Sequence, residues 1–176
     1  RRLTELWYGN QNILSSHTEK YSGNYKDVEI RDERVFLWRD VELEFWWVGK
    51  GYLIDVLYAM ICLYEKNISR FIINFWWDMY GKWGWKVWLE SPFASDEVIG
   101  IYDLQDDFFA CSAGTKRKWW NHHHLIDPHT GESAREVIAS YIEGWSGILT
   151  DTYATTLCVM PWDTACITLE KTTEIS

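Results

Sequence analysis

The sequence has few of the features that mark the simplest classes of protein. It holds only four cysteines and no Cys-x-x-Cys pair, so neither a disulfide framework nor a zinc knuckle is predicted. No run of 18 apolar residues suggests a membrane-spanning helix, and no signal-peptide pattern opens the chain. Acidic residues outnumber basic ones by 26 to 17, and the net charge of −9 argues against sequence-independent binding to nucleic acid or to an anionic membrane.

Apolar side chains make up 47% of the 176 residues, which is enough for a buried core in a single domain spanning residues 1–176. Their spacing predicts a helix ending near residue 7, a polar loop at 9–23, a hairpin pairing 28–30 with 35–37 and a half-buried strand at 41–45. A glycine loop at 49–52 then leads into a buried helix reaching about residue 65.

The second half of the pattern contains more strands, predicted at 71–75, 85–90, 98–104 and 108–112. Residues 134–143 fit either a strand or a helix, and two helices at about 152–160 and 163–171 are separated by Pro161. Strands in the middle and helices near the end indicate an α+β domain with antiparallel strands.

The densest chemistry lies in residues 121–131, which hold four of the five histidines, an aspartate and a predicted turn. In an extended segment His122 and His124 share one face, roughly 6–7 Å apart, and His123 points the other way. Residues 127–131 are typical of a turn, because proline fixes φ, Asp or Thr bonds locally to the backbone and glycine adopts positive φ. A zinc site is one interpretation, although no converging ligand set accompanies the histidines. A polar strand end with incidental histidines is the other.

A second candidate site follows from helical spacing. Asp151 and Thr155 are four residues apart, so a carboxylate and a hydroxyl share one face near a helix start, where phosphate is also favoured. Few hard oxygen ligands suit Mg²⁺. The alternative is that Asp151 only caps the helix and Thr155 only packs. Lys50 lies between two glycines and either contacts an anion or is simply solvated. Asp55 either belongs to the candidate site or is an acidic residue in the first turn of a helix, where it interacts favourably with the helix dipole.

The histidine stretch, His124-Leu125-Ile126-Asp127-Pro128-His129-Thr130-Gly131, resembles the His-Ile-Ile-Asp-Pro-x-Thr-Gly signature of the ApbE family, the FAD:protein FMN transferases. Five further motifs resemble that family in the same order. They are Gly49-Lys50-Gly51-Tyr52-Leu53-Ile54-Asp55, residues 74–78, residues 85–92, residues 112–114 and Thr150-Asp151-Thr152-Tyr153-Ala154-Thr155-Thr156-Leu157. We expect the chain to correspond to the C-terminal part of a usual family member, without its N-terminal strands.

The resemblance implies a T-fold-like arrangement of antiparallel sheets flanked by helices and a Mg²⁺-dependent enzyme. That enzyme would move FMN from FAD onto a Thr or Ser hydroxyl of an acceptor flavoprotein and release AMP. His124 and Asp151 are the implied catalytic residues, and Gly49, Asp151 and Thr155 the implied metal ligands. The implied FAD contacts are Lys50, Tyr52, Asp55, Asp78, His124, Asp127 and Thr130. Family habit also implies the periplasmic side of a bacterial cell envelope, with the cytoplasm as the alternative. The alternative functions are a non-catalytic flavin-binding scaffold and a metal-dependent FAD pyrophosphatase.

Two tryptophan pairs depart from the family pattern. Trp46-Trp47 and Trp76-Trp77 stand where the family has glycine pairs, and the chain holds 13 tryptophans in all. No indole side chain allows the backbone freedom or the close ligand approach of glycine. Three interpretations follow: the residues at these positions are glycine, the pocket is remodelled with indole stacking, or flavin chemistry is lost.

Overall fold

The computed structural model describes residues 24–39, 41, 43, 45–94 and 96–172. A 3-10 turn, Tyr25–Asp27, precedes a hairpin of β1 (Val28–Arg31) and β2 (Arg34–Leu37). The later strands are β3 (Phe71–Phe75), β4 (Asp78–Lys82), β5 (Trp85–Glu90), β6 (Val98–Leu104), β7 (Asp107–Ala113), β8 (Lys118–Trp119), β9 (His122–His123) and β10 (Ala139–Gly144). The helices are α1 (Trp46–Tyr64), α2 (Gly147–Val159) and α3 (Trp162–Lys171).

The centre of the structure is a four-stranded antiparallel sheet in the order β10-β7-β4-β3. Side chains alternate between its two faces, as the pleat requires. Met79 and Phe109 are register partners on one face, and Tyr80 and Phe108 are partners on the other. Both faces are therefore apolar and need a covering layer.

The β5–β6 hairpin covers the first face. Leu104, which is fully buried, packs there with Met79 and Phe109, and Val87 and Leu89 of β5 join the same cluster. Helices cover the other face. Ile54 of α1 packs with Tyr80 and Phe108, and α2 packs with β7 and β10. The result is a three-layer α+β domain of helices, sheet and hairpin, as predicted.

Most predicted strands are confirmed. The β1–β2 hairpin and the strands β3, β5, β6 and β7 lie at or within a residue or two of the predicted positions. The ambiguous stretch at 134–143 contributes strand β10, and Pro161 does separate two helices. The elements predicted for residues 3–7 and 9–23 lie outside the described residues.

Three predictions about local structure were wrong, and one strand was missed. The half-buried strand at 41–45 is absent from its described residues, where Leu43 and Phe45 are exposed. Helix α1 begins at Trp46, so the predicted glycine loop lies inside the helix. The helix was also predicted to be buried, but only its Gly51 and Ile54 are fully buried. Helix α2 begins at Gly147, earlier than predicted, because Ser146 provides its N-cap. Strand β4 was not predicted at all.

Among the described residues, α1 alone is long and apolar enough to cross a membrane by length and composition. Core helices of soluble proteins pass the same test. In this structure α1 packs on α2, β3 and β4, and its Lys50 and Asp55 side chains bond to other parts of the domain.

Candidate active site

A cavity of about 180 Å³ lies where the N-terminal end of α1 and the middle of α2 meet the turns that follow β3 and β7. Aromatic and aliphatic side chains from β4, β5 and β7 line one side of it. Polar residues of the lining include Lys50, Ser112, Arg117, His124, Asp151 and Thr155. The cavity is therefore assembled from segments that are distant in the sequence.

Two glycines bring α1 and α2 into direct backbone contact beside the cavity. A Cβ atom on Gly51 would lie 2.2 Å from the carbonyl oxygen of Gly147, and one on Gly147 would lie 2.6 Å from the oxygen of Gly51. No other residue fits at either position without moving a helix. This contact lets the Gly51 amide donate a 2.9 Å hydrogen bond to Asp151 Oδ2. The glycines thus determine where the Asp151 carboxylate lies.

Asp55 joins the same two helices with its carboxylate. Its oxygens accept hydrogen bonds from the amides of Gly147 (2.7 Å) and Ile148 (3.0 Å) and from the Ser146 hydroxyl (3.1 Å). Those amides are in the first turn of α2, where N–H groups have no partner within their own helix. Asp55 therefore caps α2 and is not a first-turn acid of α1.

Asp151 and Thr155 lie one helical turn apart and both line the cavity, as their spacing predicted. Asp151 is only 2% exposed, and Thr155 Oγ1 lies 3.1 Å from Ser112 Oγ. The alternative that Asp151 caps its own helix is wrong, since Ser146 is the N-cap. Burial raises the pKa of Asp151, and the nearby Lys50 ammonium partly opposes this.

Lys50 is held at the cavity by Asp78. The two side chains form an ion pair, and Asp78 is 2% exposed at the start of β4. Burial lowers the pKa of Lys50, and the negative charge of Asp151 acts in the opposite direction. The lysine is thus not a solvated loop residue. Asp78 acts on the cavity through Lys50 and is outside its lining.

His124 lines the cavity as a neutral ring. Burial, followed by the charge of Arg117, lowers the pKa of His124 to about 4. Its ring stacks on Trp47 with centroids 5.3 Å apart. The sequence alone did not show that His124 is only 7% exposed, and this burial is the main cause of its lowered pKa.

The neighbouring histidines have separate roles. His123 Nε2 lies 2.6 Å from the Ala134 carbonyl oxygen and donates to it, and His122 lies 3.8 Å from Glu132. No group of three or more His, Cys, Asp or Glu side chains that could hold a metal ion occurs in the described part of the chain. The structure thus offers no support for zinc at the histidines.

The predicted turn after the histidines is confirmed. Asp127 accepts hydrogen bonds from the His129 amide (2.8 Å) and the Thr130 hydroxyl (3.0 Å), and Gly131 has φ +71°. Asp127 and Thr130 therefore bond to one another and lie outside the cavity lining. Two further sequence candidates lie outside it as well. Gly49 is in the first turn of α1, and Tyr52 is exposed on the same helix.

The sequence candidates omitted several lining residues. All four members of the tryptophan pairs line the cavity, and so do Ser112, Lys116 and Arg117. Lys116 and Arg117 belong to the sequence's single basic cluster, 116–118, which was a usable signal. For Ser112 the signal in the sequence was its position in residues 112–114, one of the motifs that resemble the family.

The cavity lining contains oxygen donors of the kind that a magnesium ion takes. The Asp151 carboxylate and the Thr155 and Ser112 hydroxyls are hard oxygen donors on neighbouring elements. Mg²⁺ is commonly bound through one or two carboxylates, with water and substrate phosphate completing its shell. The donors present are compatible in kind with this ion, with one carboxylate among them.

The antiparallel sheet, its helical cover and the hairpin define an α+β domain with a partly polar cavity. The sequence model of the ApbE family matches residues 2–176, so the chain belongs to the ApbE family. The resemblance noted in the motifs is confirmed. No curated protein sequence matches the chain significantly.

Solved structures are similar in fold. The ApbE protein from Thermotoga maritima superposes with a TM-score of 0.82 at 24% identity, covering 96% of this chain and 62% of its own. The flavin transferase ApbE from Vibrio cholerae gives 0.77 at 16% identity, covering 96% and 60%. The flavinyl transferase ApbE from Pseudomonas stutzeri gives 0.73 at 17% identity, covering 90% and 54%. This chain therefore spans somewhat more than half the length of these proteins.

Proposed function

We propose that this domain transfers FMN from FAD to a Thr or Ser hydroxyl of an acceptor flavoprotein. Membership of the ApbE family supports this, as do structural neighbours named flavin transferases. The observation in the structure that supports it most is the buried Asp151 beside Lys50 and one turn from Thr155. Carboxylate, hydroxyl and ammonium groups together suit a metal-bound pyrophosphate.

The reaction replaces one phosphorus–oxygen bond with another. The acceptor hydroxyl oxygen bonds to the FMN-side phosphorus of FAD, and the bond from that phosphorus to the bridging oxygen breaks. AMP leaves with the bridging oxygen, and the hydroxyl proton is released. Catalysis of such a transfer depends mainly on positioning and on neutralising phosphate charge.

The cavity residues have distinct roles in this proposal. Asp151 and Thr155 would hold Mg²⁺, which would neutralise charge on the pyrophosphate. Lys50, positioned by Asp78, provides a second positive charge. His124 is neutral at neutral pH and accepts a hydrogen bond from the acceptor hydroxyl, which orients that hydroxyl.

The reaction itself is tested by incubating the protein with FAD, Mg²⁺ and an acceptor flavoprotein. We expect AMP release to require the acceptor, and the acceptor mass to increase by one FMN group. Free FMN and AMP formed without acceptor would indicate a pyrophosphatase instead. FAD binding with no product under any condition would indicate a non-catalytic scaffold.

Metal binding is tested by a matched pair of threonine variants on α2. Thr155 lines the cavity, whereas Thr152 bonds back to the Ile148 carbonyl oxygen at 2.6 Å and lies outside the lining. Thr155→Val should raise the Mg²⁺ concentration needed for half-maximal transfer, and Thr152→Val should not. Asp151→Asn should abolish most of the activity, and the remaining activity should not depend on Mg²⁺, because the charged ligand is gone. Equal effects of both threonine variants would contradict the assignment.

The role of His124 is tested by separating binding from transfer. His124→Ala should bind FAD nearly as well as the wild type but transfer FMN on the order of a hundredfold more slowly. FAD affinity is measured by calorimetry and transfer by acceptor labelling. A loss confined to affinity would show that His124 contacts FAD alone.

A further inference from the structure

We propose that four exposed tryptophans form an aromatic rim that stacks on the isoalloxazine ring of the flavin. This inference rests on the proposed function and adds the orientation of the flavin and the residues that recognise it. The aromatic rim is defined as Trp46, Trp76, Trp77 and Trp88. All four line the cavity, and all four are exposed.

The exposed indole faces are the first argument. Trp76 is 82% exposed and Trp88 71% exposed, although both belong to the cavity lining. Large aromatic side chains grouped around one opening form the kind of exposed apolar patch that marks a binding site. Trp47 is excluded from the rim because its ring stacks on His124.

The polarity of the cavity is the second argument. Its inner part contains the buried Asp151 and Lys50, held by Asp78, whereas the rim is aromatic. A ligand that matches this gradient has a phosphate at one end and a flat, poorly hydrated ring system at the other. Lys116, with its Nζ 5.8 Å from the Trp77 ring centroid, provides a cation at the boundary between the two parts.

FAD has two ring systems, and the chemistry selects one of them for the rim. The FMN half must remain attached to a macromolecular acceptor, which approaches only from outside the cavity. The isoalloxazine ring therefore lies nearer the opening, and the adenylate half leaves as AMP. A tricyclic, electron-poor ring also presents a large face to an electron-rich indole.

Backbone strain alone is not evidence for the rim. Trp76 has φ +65°, and its neighbour's amide donates a 2.9 Å hydrogen bond to the Phe75 carbonyl oxygen, which closes a three-residue γ-turn. Trp83 has the same φ of +65° and is 63% exposed, but it is outside the cavity lining. Trp83 is therefore a matched control, because glycine relieves the same strain at both positions.

The test compares the dissociation constants of FMN and ADP for the wild type, Trp76→Gly, Trp46→Ala and Trp83→Gly, measured by calorimetry with Mg²⁺ present. Loss of one stacking contact should raise the FMN dissociation constant of Trp76→Gly about tenfold. Trp46→Ala should also raise the FMN dissociation constant. ADP binding should be unaffected by either change, and Trp83→Gly should affect neither ligand. Quenching of FMN fluorescence by the protein should decrease in the two rim variants.

Three results would overturn the proposal. Weaker ADP binding with unchanged FMN binding would place adenine on the rim. Tighter FMN binding in Trp76→Gly would show that the indole obstructs the opening, and unchanged binding of both ligands would show that the rim contacts neither. The transfer assay separates this inference from the proposed function. Selective FMN binding without transfer refutes the function alone, and transfer with no effect of the rim variants on FMN refutes the rim alone.

Discussion

Removing the Asp55 carboxylate should destabilise the domain through a helix to which Asp55 does not belong. Asp55 lies in α1, but its three hydrogen bonds are all to the first residues of α2. In Asp55→Ala the amides of Gly147 and Ile148 lose their acceptor, and the packing of α1 on α2 leaves little room for a replacement.

The expected loss follows from three contributions. Loss of a helix cap costs about 1–2 kcal/mol. Removing a negative charge from a helix N-terminus costs roughly another 0.3–1 kcal/mol. Burying an unsatisfied donor adds about 1 kcal/mol. The total is about 3 kcal/mol, which lowers the Tm of a domain of this size by roughly 6–12 °C.

Thermal and urea unfolding of wild type and Asp55→Ala measure this loss directly. Asp55→Asn keeps one acceptor oxygen and should lose only about 1–2 kcal/mol. Asp103→Ala is the control, since Asp103 pairs with Lys86 at the exposed surface and such pairs contribute less than about 1 kcal/mol.

The opposite result would support the direct ligand contact that the family resemblance implies for Asp55. In that case Asp55→Ala would unfold at the wild-type temperature but bind FAD more weakly. A large decrease in Tm, with FAD affinity per folded molecule retained, supports the cap.

Three further predictions concern other parts of the domain. Gly51→Ala should lower the Tm severely because its Cβ would overlap Gly147, whereas Gly49→Ala, with nothing within 4 Å, should be neutral or slightly stabilising. The folded-state pKa of His124 is lowered from 6.5 to about 4, so the unfolded chain binds more protons between these values. Stability should therefore fall by up to about 3 kcal/mol as pH decreases from 6.5 to 4, and urea unfolding of His124→Gln should lack this contribution. Trp120→Gly should raise stability by about 1 kcal/mol, since Trp120 has φ +51° and is exposed, and an unchanged midpoint of urea unfolding would refute this.

The sequence by itself determined the class of the domain and part of its candidate site. Short apolar runs bounded by turn residues showed most of the strands, because the residues that favour a strand and those that end it act locally. The spacing of Asp151 and Thr155 was sufficient to place both on one helix face, because helical geometry depends only on separation along the chain. The turn at residues 127–131 was also predictable, since Asp, Pro and Gly act on the backbone next to them.

Only the tertiary structure decided the start of α1. Gly49 and Gly51 predict a loop because glycine is a poor helix former. The contact of Gly51 with Gly147, 96 residues later in the chain, requires a residue without a side chain within the helix. A stabilising contact between distant segments outweighed the local preference, and no window of neighbouring residues contains that information.

The roles of the charged residues were decided at the same level. Asp55 became a cap of α2, Asp78 a partner of Lys50, and His124 a neutral buried ring. Each role depends on which groups approach the side chain and on how much water is excluded. The sequence identifies a carboxylate or an imidazole, but its partner and its pKa are properties of the folded environment.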